Sequence, residues 1–325
     1  MHTVIIGGGG FVGSRLAKEW VGQASFKDDP SSRLTLIDMG FSDELIEDSR
    51  FELVVGDFSE ERVIRPVLTQ RPDVIFHLAA IVSGEAEKNF ELGMKVNLHG
   101  SLQLLEICRE LAHKPRLIFA SSCGVFGGDV TQVVEDTTAP KPRSSYGTQK
   151  AIVELLVNDY SRRGFVDGRT LRLPTITVRP GRPNAATSSF LSGIIREPLN
   201  GVATTYPVTE DAAFWLLSPR RLVQNLLHAS VLEEKLLGDD RVITLPGITA
   251  SVGQLLESLR RVAGPEVADR AVYEPDEFLQ RIVLTWPPHF LPDRALALGF
   301  VRDNSTEEII RNYIEEENIN TTNYQ

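Results

Sequence analysis

Cysteine is scarce in this chain: two residues in 325, Cys108 and Cys123. Two thiols cannot build a disulfide framework at this length, which points to a reducing compartment. No Cys-x-x-Cys, no His-Glu-x-x-His and no cluster of His and Cys ligands occurs, so a protein-built metal site is not expected. Long apolar runs are missing too, since none reaches the ~18 residues of a membrane span. The first residues, Met1-His2-Thr3-Val4-Ile5-Ile6, have neither the basic start nor the long apolar stretch of a secretory leader. The expectation is a cytoplasmic protein that does not engage a membrane. Positive charge is in deficit, with 34 Lys and Arg against 44 Asp and Glu and a formal charge of −10. That balance disfavours nucleic acid and anionic lipid as partners. What the chain does have is ordinary: 42% hydrophobic residues, enough for a sizeable core in one large domain or two smaller ones.

In the first half, short β-rich runs alternate with amphipathic helical patterns. That alternation reads as an α/β architecture built on a doubly wound parallel sheet. Strands are expected at 3–6, 34–37, 52–55, 74–76, 116–119 and 169–173, with helices at 12–21, 98–111 and 146–163. In the last of these, Ile152, Leu155, Leu156 and Tyr160 have the spacing of one buried face. Beyond about residue 174 the rhythm breaks, with Pro174, Pro180, Pro183 and Pro198 in a polar stretch. The expected division is therefore a first domain over 1–174 and a smaller C-terminal domain over 175–325. A strand and a helix near 218–246 are expected to return to the first. Further helices are expected at 219–232, 251–262 and 305–317, and Ser251/Gln254 and Ser305/Glu308 have the spacing of capping boxes.

Gly7-Gly8-Gly9-Gly10-Phe11-Val12-Gly13 joins the first strand to the first helix. Read as Gly7-x-x-Gly10-x-x-Gly13, it lets the chain turn tightly against a pyrophosphate, with helix N-terminal amides facing the negative charge. Asp38 ends the second strand, where a carboxylate can bind ribose hydroxyls and repel a 2′-phosphate. It lies slightly beyond the usual ~20-residue spacing, and the polar insert 27–32 accounts for the excess. Met39 and Gly40 follow it rather than an arginine, so the cofactor expected is NAD and not NADP.

Tyr146 and Lys150 sit four residues apart at the start of a helix, on one face. A neighbouring ammonium favours phenolate over phenol and makes the tyrosine a candidate general base. Ser122 falls at the C-terminal end of a strand, where parallel sheets place ligands.

With these motifs in order, along with Gly56-Asp57-Phe58, His77-Leu78-Ala79-Ala80 and Val96-Asn97-Leu98-His99-Gly100, the chain resembles the extended short-chain dehydrogenase/reductase family, also described as the NAD-dependent epimerase/dehydratase family. The resemblance implies a Rossmann-type sheet with a smaller C-terminal substrate-binding domain. It implies that Asp57 and Phe58 contact adenine and that Leu78, Ala79 and Ala80 line the cofactor. Asn97 and Lys150 would position the nicotinamide ribose and relay protons, with Pro174 and Ile176 packed near the nicotinamide. It also implies a homodimer through the helices at 98–111 and 146–163.

The neighbours of Ser122 are Cys123 and Gly124, not the carboxylates a dehydratase needs, so dehydration is disfavoured. Nucleotide-sugar epimerases usually carry an Asn where this chain reads Leu173-Pro174-Thr175. Arg179 and Arg182 follow among small hydrogen-bonding residues, and a guanidinium fork suits a carboxylate. The expected substrate is a small sugar acid, touched by Ser83, Ser122, Tyr146, Thr175, Arg179 and Arg182. The segments 82–84, 144–168, 172–184, 188–199 and 215–220 further resemble family members that oxidise the C2 hydroxyl of a four-carbon acid with NAD. A nucleotide-sugar 4-epimerase and a non-enzymatic NAD-sensing regulator remain the alternatives.

Overall fold

A computed structural model describes residues 1–128, 133–181 and 186–320, apart from the side chain of Ser25. Strand β1 (His2–Ile6) is buried along its whole length, as its run of β-branched residues requires of a central parallel strand. The glycine turn leads into helix α1 (Phe11–Gly22), which buries Gly13, Leu16, Ala17, Trp20 and Val21, one stripe at helical spacing. The βαβ rhythm continues through β2 (Arg33–Asp38), β3 (Phe51–Val55), α2 (Glu61–Leu68) and β4 (Val74–His77). A π-helical turn, Met94–Gly100, then runs into α3 (Ser101–Leu111). After that come β5 (Arg116–Ser122), α4 (Ser145–Arg162) and β6 (Asp167–Leu173).

These six strands and Val242–Thr244 form a seven-stranded sheet, in the order Val242–Thr244, β6, β5, β4, β1, β2, β3. Pairs β1–β2, β2–β3, β1–β4 and β4–β5 are parallel, and the chain reverses its direction of travel between β1 and β4. Ligands bind beyond the carboxyl ends of strands at such a reversal. The protein is thus an α/β protein with a Rossmann-type sheet.

Two compact units divide the chain. The first comprises Met1–Ser122, Ser145–Arg172 and Val223–Ile243; the second comprises Cys123–Ser144, Leu173–Leu222 and Thr244–Gln325. Residues 223–243 thus group with the first unit, and 123–128 and 133–144 with the second. There, Val134–Glu135 pairs with Phe290–Leu291, and Gly128 N donates to the Thr285 carbonyl. A pairing with so distant a stretch leaves no local pattern to read. In the second unit, Thr175–Ile176, Ala213–Leu217 and Ile248–Ser251 form a three-stranded sheet. Leu191, Ile194, Leu255, Leu259, Ile309 and Ile310 pack together in its core. The capping box at Ser251 forms in full. At Ser305 only half does: Ser305 Oγ accepts from Glu308 N, but the Glu308 carboxylate turns to Asn304 and Arg221.

Helix α4 follows the buried face expected of it only in part: Leu156 and Tyr160 pack partly buried against the core. Its buried residues include Gln149, Lys150, Val153, Glu154 and Val157, while Leu155 is 73% exposed and Ile152 37%. The inward face carries polar groups that find partners on other elements, which apolar periodicity cannot show.

Candidate active site

The glycine turn is built at the point where the sheet reverses. Gly7 N and Gly8 N both donate to the Ile37 carbonyl, and Leu78 N and Ala79 N both donate to that of Ile6. Gly7 has φ +91°, and a Cβ there would lie 2.7 Å from Ala79 N. A Cβ on Gly13 would fall on the Gly7 carbonyl oxygen, far inside van der Waals contact. Both positions therefore require glycine. No side chain caps α1, so the first-turn amides keep their N-terminal partial charge for an anion.

Asp38 closes one end of the turn, accepting from Gly9 N at 2.9 Å and from Met39 N at 2.7 Å. Gly7, Gly10, Asp38, Asp57, Phe58, Leu78, Ala79 and Ala80, all singled out from the sequence, line one cleft of about 450 Å³. Sequence reasoning missed Ile37, Met39, Ile81 and Leu92 in its wall. They are apolar residues in or just past strands and on a short helix, a residue type that carries no functional signal by itself. Phe11 and Val12 follow the turn as the first two residues of α1. Ser83 opens the short helix Ser83–Lys88. Asp57 accepts from Ser59 N and Lys95 Nζ, which sets its carboxylate across the cleft's rim.

Ser122 is the last residue of β5, and Tyr146 and Lys150 occupy the first two turns of α4. Lys150 is 2% exposed. Its Nζ donates to the Ala120 carbonyl at 2.8 Å and lies 5.7 Å from the Tyr146 ring centre. Burial pushes its pKa down to about 7, against the upward pull of Glu154. An ammonium titrating near neutrality beside a phenol can change that phenol's readiness to lose a proton. His77 cannot share the work of a base: burial, helped by Lys150, drives it down to about 3, and its Nε2 meets Ser101 Oγ.

Asn97 lies in the π-helical turn, and its amide is committed. Oδ1 accepts from Ile81 N, while Nδ2 donates to the Ile81 carbonyl and to Gln149 Oε1. It therefore braces the cleft wall against α4. Gln149, missed from the sequence, is its partner; as the neighbour of Lys150 on a helix it gave no separate signal.

Pro174, Thr175, Ile176 and Arg179 belong to the second unit. Thr175 and Ile176 form a strand beside Leu216 and Leu217, and Arg179 Nε donates to the Ile176 carbonyl. Arg182 lies outside the described residues. Among the described residues there is no group of His, Cys, Asp and Glu fit to hold a metal, and no helix is long and apolar enough to cross a membrane.

The sequence profile of the NAD dependent epimerase/dehydratase family matches residues 3–212. The chain belongs to this family. Within it, the chain is 51% identical over 320 residues to the D-erythronate dehydrogenase of Cupriavidus necator, covering 97% of this chain and 98% of that protein. It is 43% identical over 315 residues to the D-erythronate dehydrogenase of Haemophilus influenzae, covering 97% and 99%. Among solved structures, the nucleoside-diphosphate-sugar epimerase from Agrobacterium tumefaciens superposes with a TM-score of 0.91 at 43% identity, covering 98% of this chain and 94% of that one. The epimerase/dehydratase family thus includes near relatives of this chain that carry two different names.

Proposed function

We propose that this protein is an NAD-dependent dehydrogenase that oxidises the C2 hydroxyl of D-erythronate to 2-dehydro-D-erythronate. The observation that carries the reading is the 51% identity to a D-erythronate dehydrogenase over almost the whole of both chains. The arginines at 179 and 182 and the absence of carboxylates beside Ser122 support an acid substrate and a redox outcome.

The cleft residues fit NAD. The glycine turn leaves no side chain between the backbone and a pyrophosphate, and Asp38 stands where ribose hydroxyls would be held and a 2′-phosphate repelled. When bound, NAD supplies the acceptor for the hydride from C2. The chain's own residues do the rest. Tyr146 takes the hydroxyl proton at its phenolate oxygen, Lys150 favours that phenolate, and Ser122 hydrogen-bonds the reacting oxygen and holds it beside Tyr146. Arg179 and Arg182 serve the carboxylate, and Ser83 and Thr175 the remaining hydroxyls. Pro174 and Ile176 serve as packing for the nicotinamide, and Asn97 as a brace.

An NAD reduction screen over C3–C6 aldonic acids tests this, with erythritol as a substrate lacking the carboxylate. NADH formation with D-erythronate and at least ~100-fold lower kcat/KM with erythritol is expected, the size of a lost charge-assisted contact in a site built to hold it. Equal rates would remove the arginine clamp. The name of the Agrobacterium structure favours a second reading, a nucleotide-sugar epimerase. Interconversion of UDP-sugars without net NADH would establish it instead.

We infer further that two copies associate through the outer face of α4, where Leu155 and Ile152 stand in solvent. Leu155→Asp is expected to shift the species seen by light scattering from dimer to monomer. A wild type that is already monomeric contradicts this.

A further inference from the structure

One turn beyond Lys150, the inward face of α4 carries a carboxylate. Glu154 is 2% exposed and has partners on two strands. Arg172 of β6 closes a forked ion pair on it, Nε to Oε1 at 3.0 Å and Nη2 to Oε2 at 2.7 Å. Ser121 of β5, the residue before Ser122, donates its hydroxyl to Oε1 at 2.5 Å. Lys150 reaches the same strand through the Ala120 carbonyl. One buried cluster therefore ties α4, β5 and β6 together directly behind Ser122, Tyr146 and Lys150. A buried ion pair rarely stabilises a fold more than apolar packing of the same volume, so its place behind the reacting groups calls for another reason.

We propose that Glu154 is a positioning residue for the reaction: held by Arg172 and Ser121, it keeps Lys150 charged and keeps Ser122 in register with Tyr146. The proposal rests on the reading of Tyr146 as base and Lys150 as its partner. The groups facing Lys150 can be named element by element. On α4 they are Tyr146 and Glu154; from β4 comes His77, which is neutral; from β5 come the Phe119 ring at 4.7 Å and the Ala120 carbonyl. Arg172 of β6 faces Glu154. Apart from a Tyr146 phenolate, Glu154 is the negative charge in that set, and it opposes the burial that drives Lys150 toward neutrality. Along the helix it is about 6 Å of rise from Lys150 and about 12 Å from Tyr146, so it acts on the tyrosine mainly through the lysine.

The sign follows. Without the Glu154 charge, burial and the uncompensated Arg172 both push Lys150 further toward its neutral form. A neutral lysine no longer favours the phenolate, so Tyr146 gives up its proton only at higher pH. In Glu154→Gln the acid limb of kcat against pH for D-erythronate oxidation is expected to move up by about one unit, a tenfold effect at neutral pH that recovers in alkali. The KM for the acid should hold within about twofold, because no substrate contact is removed. Ultraviolet difference titration against the matching Tyr146→Phe protein, without NAD or substrate, should show the same upward move in phenol ionisation. Glu154→Asp, which keeps the charge, should bring the limb most of the way back.

A kcat lowered evenly across pH with an unmoved phenol titration would overturn the proposal, since a merely structural Glu154 behaves that way. Should Glu154→Gln fail to fold, Ser121→Ala keeps every charge and removes the Ser121 hydrogen bond from Oε1, leaving Arg172 as its partner there. It is expected to lower kcat severalfold at constant KM, and an unchanged kcat overturns the register role. An active Tyr146→Phe removes the underlying reading of the site. An inactive Tyr146→Phe together with an unmoved Glu154→Gln profile removes this proposal alone.

Discussion

Tyr146→Phe is expected to lower kcat for D-erythronate by about 10²–10⁴-fold, the usual contribution of a positioned general base. NAD affinity should change little. The phenyl ring keeps the volume and packing of the tyrosine and loses only the hydroxyl. The loss should appear in kcat rather than KM, because the phenolate acts on the proton that moves in the transition state. Lys150 cannot substitute: its Nζ is buried, bonded to the Ala120 carbonyl and set against the Phe119 ring. Stopped-flow single-turnover measurement beside an NAD titration separates the two effects. Retention of more than about a tenth of the rate would remove Tyr146 as the base, since a lost general base costs at least about a hundredfold.

Gly13→Ala is the second large effect, and it should fall on binding. The added methyl meets the Gly7 carbonyl oxygen, and further contacts of 2.8 Å with Gly7 C and Gly8 Cα leave it nowhere to go. All three atoms are backbone, so either the turn opens or α1 moves away from it. Overpacking of this kind costs roughly 1–3 kcal/mol of stability. Displacing the first-turn amides from a pyrophosphate should weaken NAD by about a hundredfold, or about 2.8 kcal/mol. Gly22→Ala is the internal control, because a Cβ at the other end of the same helix meets nothing within 4 Å. Wild-type NAD affinity in Gly13→Ala would mean that the turn does not hold the pyrophosphate.

Much of the first unit could be read from the chain because its signals are local. The run through Ile6 makes a fully buried strand, the glycines follow it at once, and Asp38 ends the next strand as expected. Ser122, Tyr146 and Lys150 also fall at a strand end and a helix start, as their motifs imply. The failures share one cause, a dependence on partners remote in sequence. Ile152 and Leu155 have core spacing on α4, yet the helix turns Lys150 and Glu154 inward because Ala120, Ser121 and Arg172 offer them bonds there. Val134–Glu135 find their strand partner at Phe290–Leu291, far along the chain. The bonds that the Asn97 amide makes to Ile81 and Gln149 likewise join residues apart in the chain. In each case the residue type was visible and its partner was not.

The central claim is that C2 of a four-carbon acid gives its hydride to the nicotinamide while this chain removes the hydroxyl proton. D-Erythronate deuterated at C2, incubated with enzyme and NAD, tests it most directly by mass spectrometry of both products. The expected result is one deuterium in the reduced nicotinamide, a 2-oxo acid without the label, and a primary isotope effect on the single-turnover rate. Label that stays in the acid, or is lost to solvent while NAD remains oxidised, would contradict the claim.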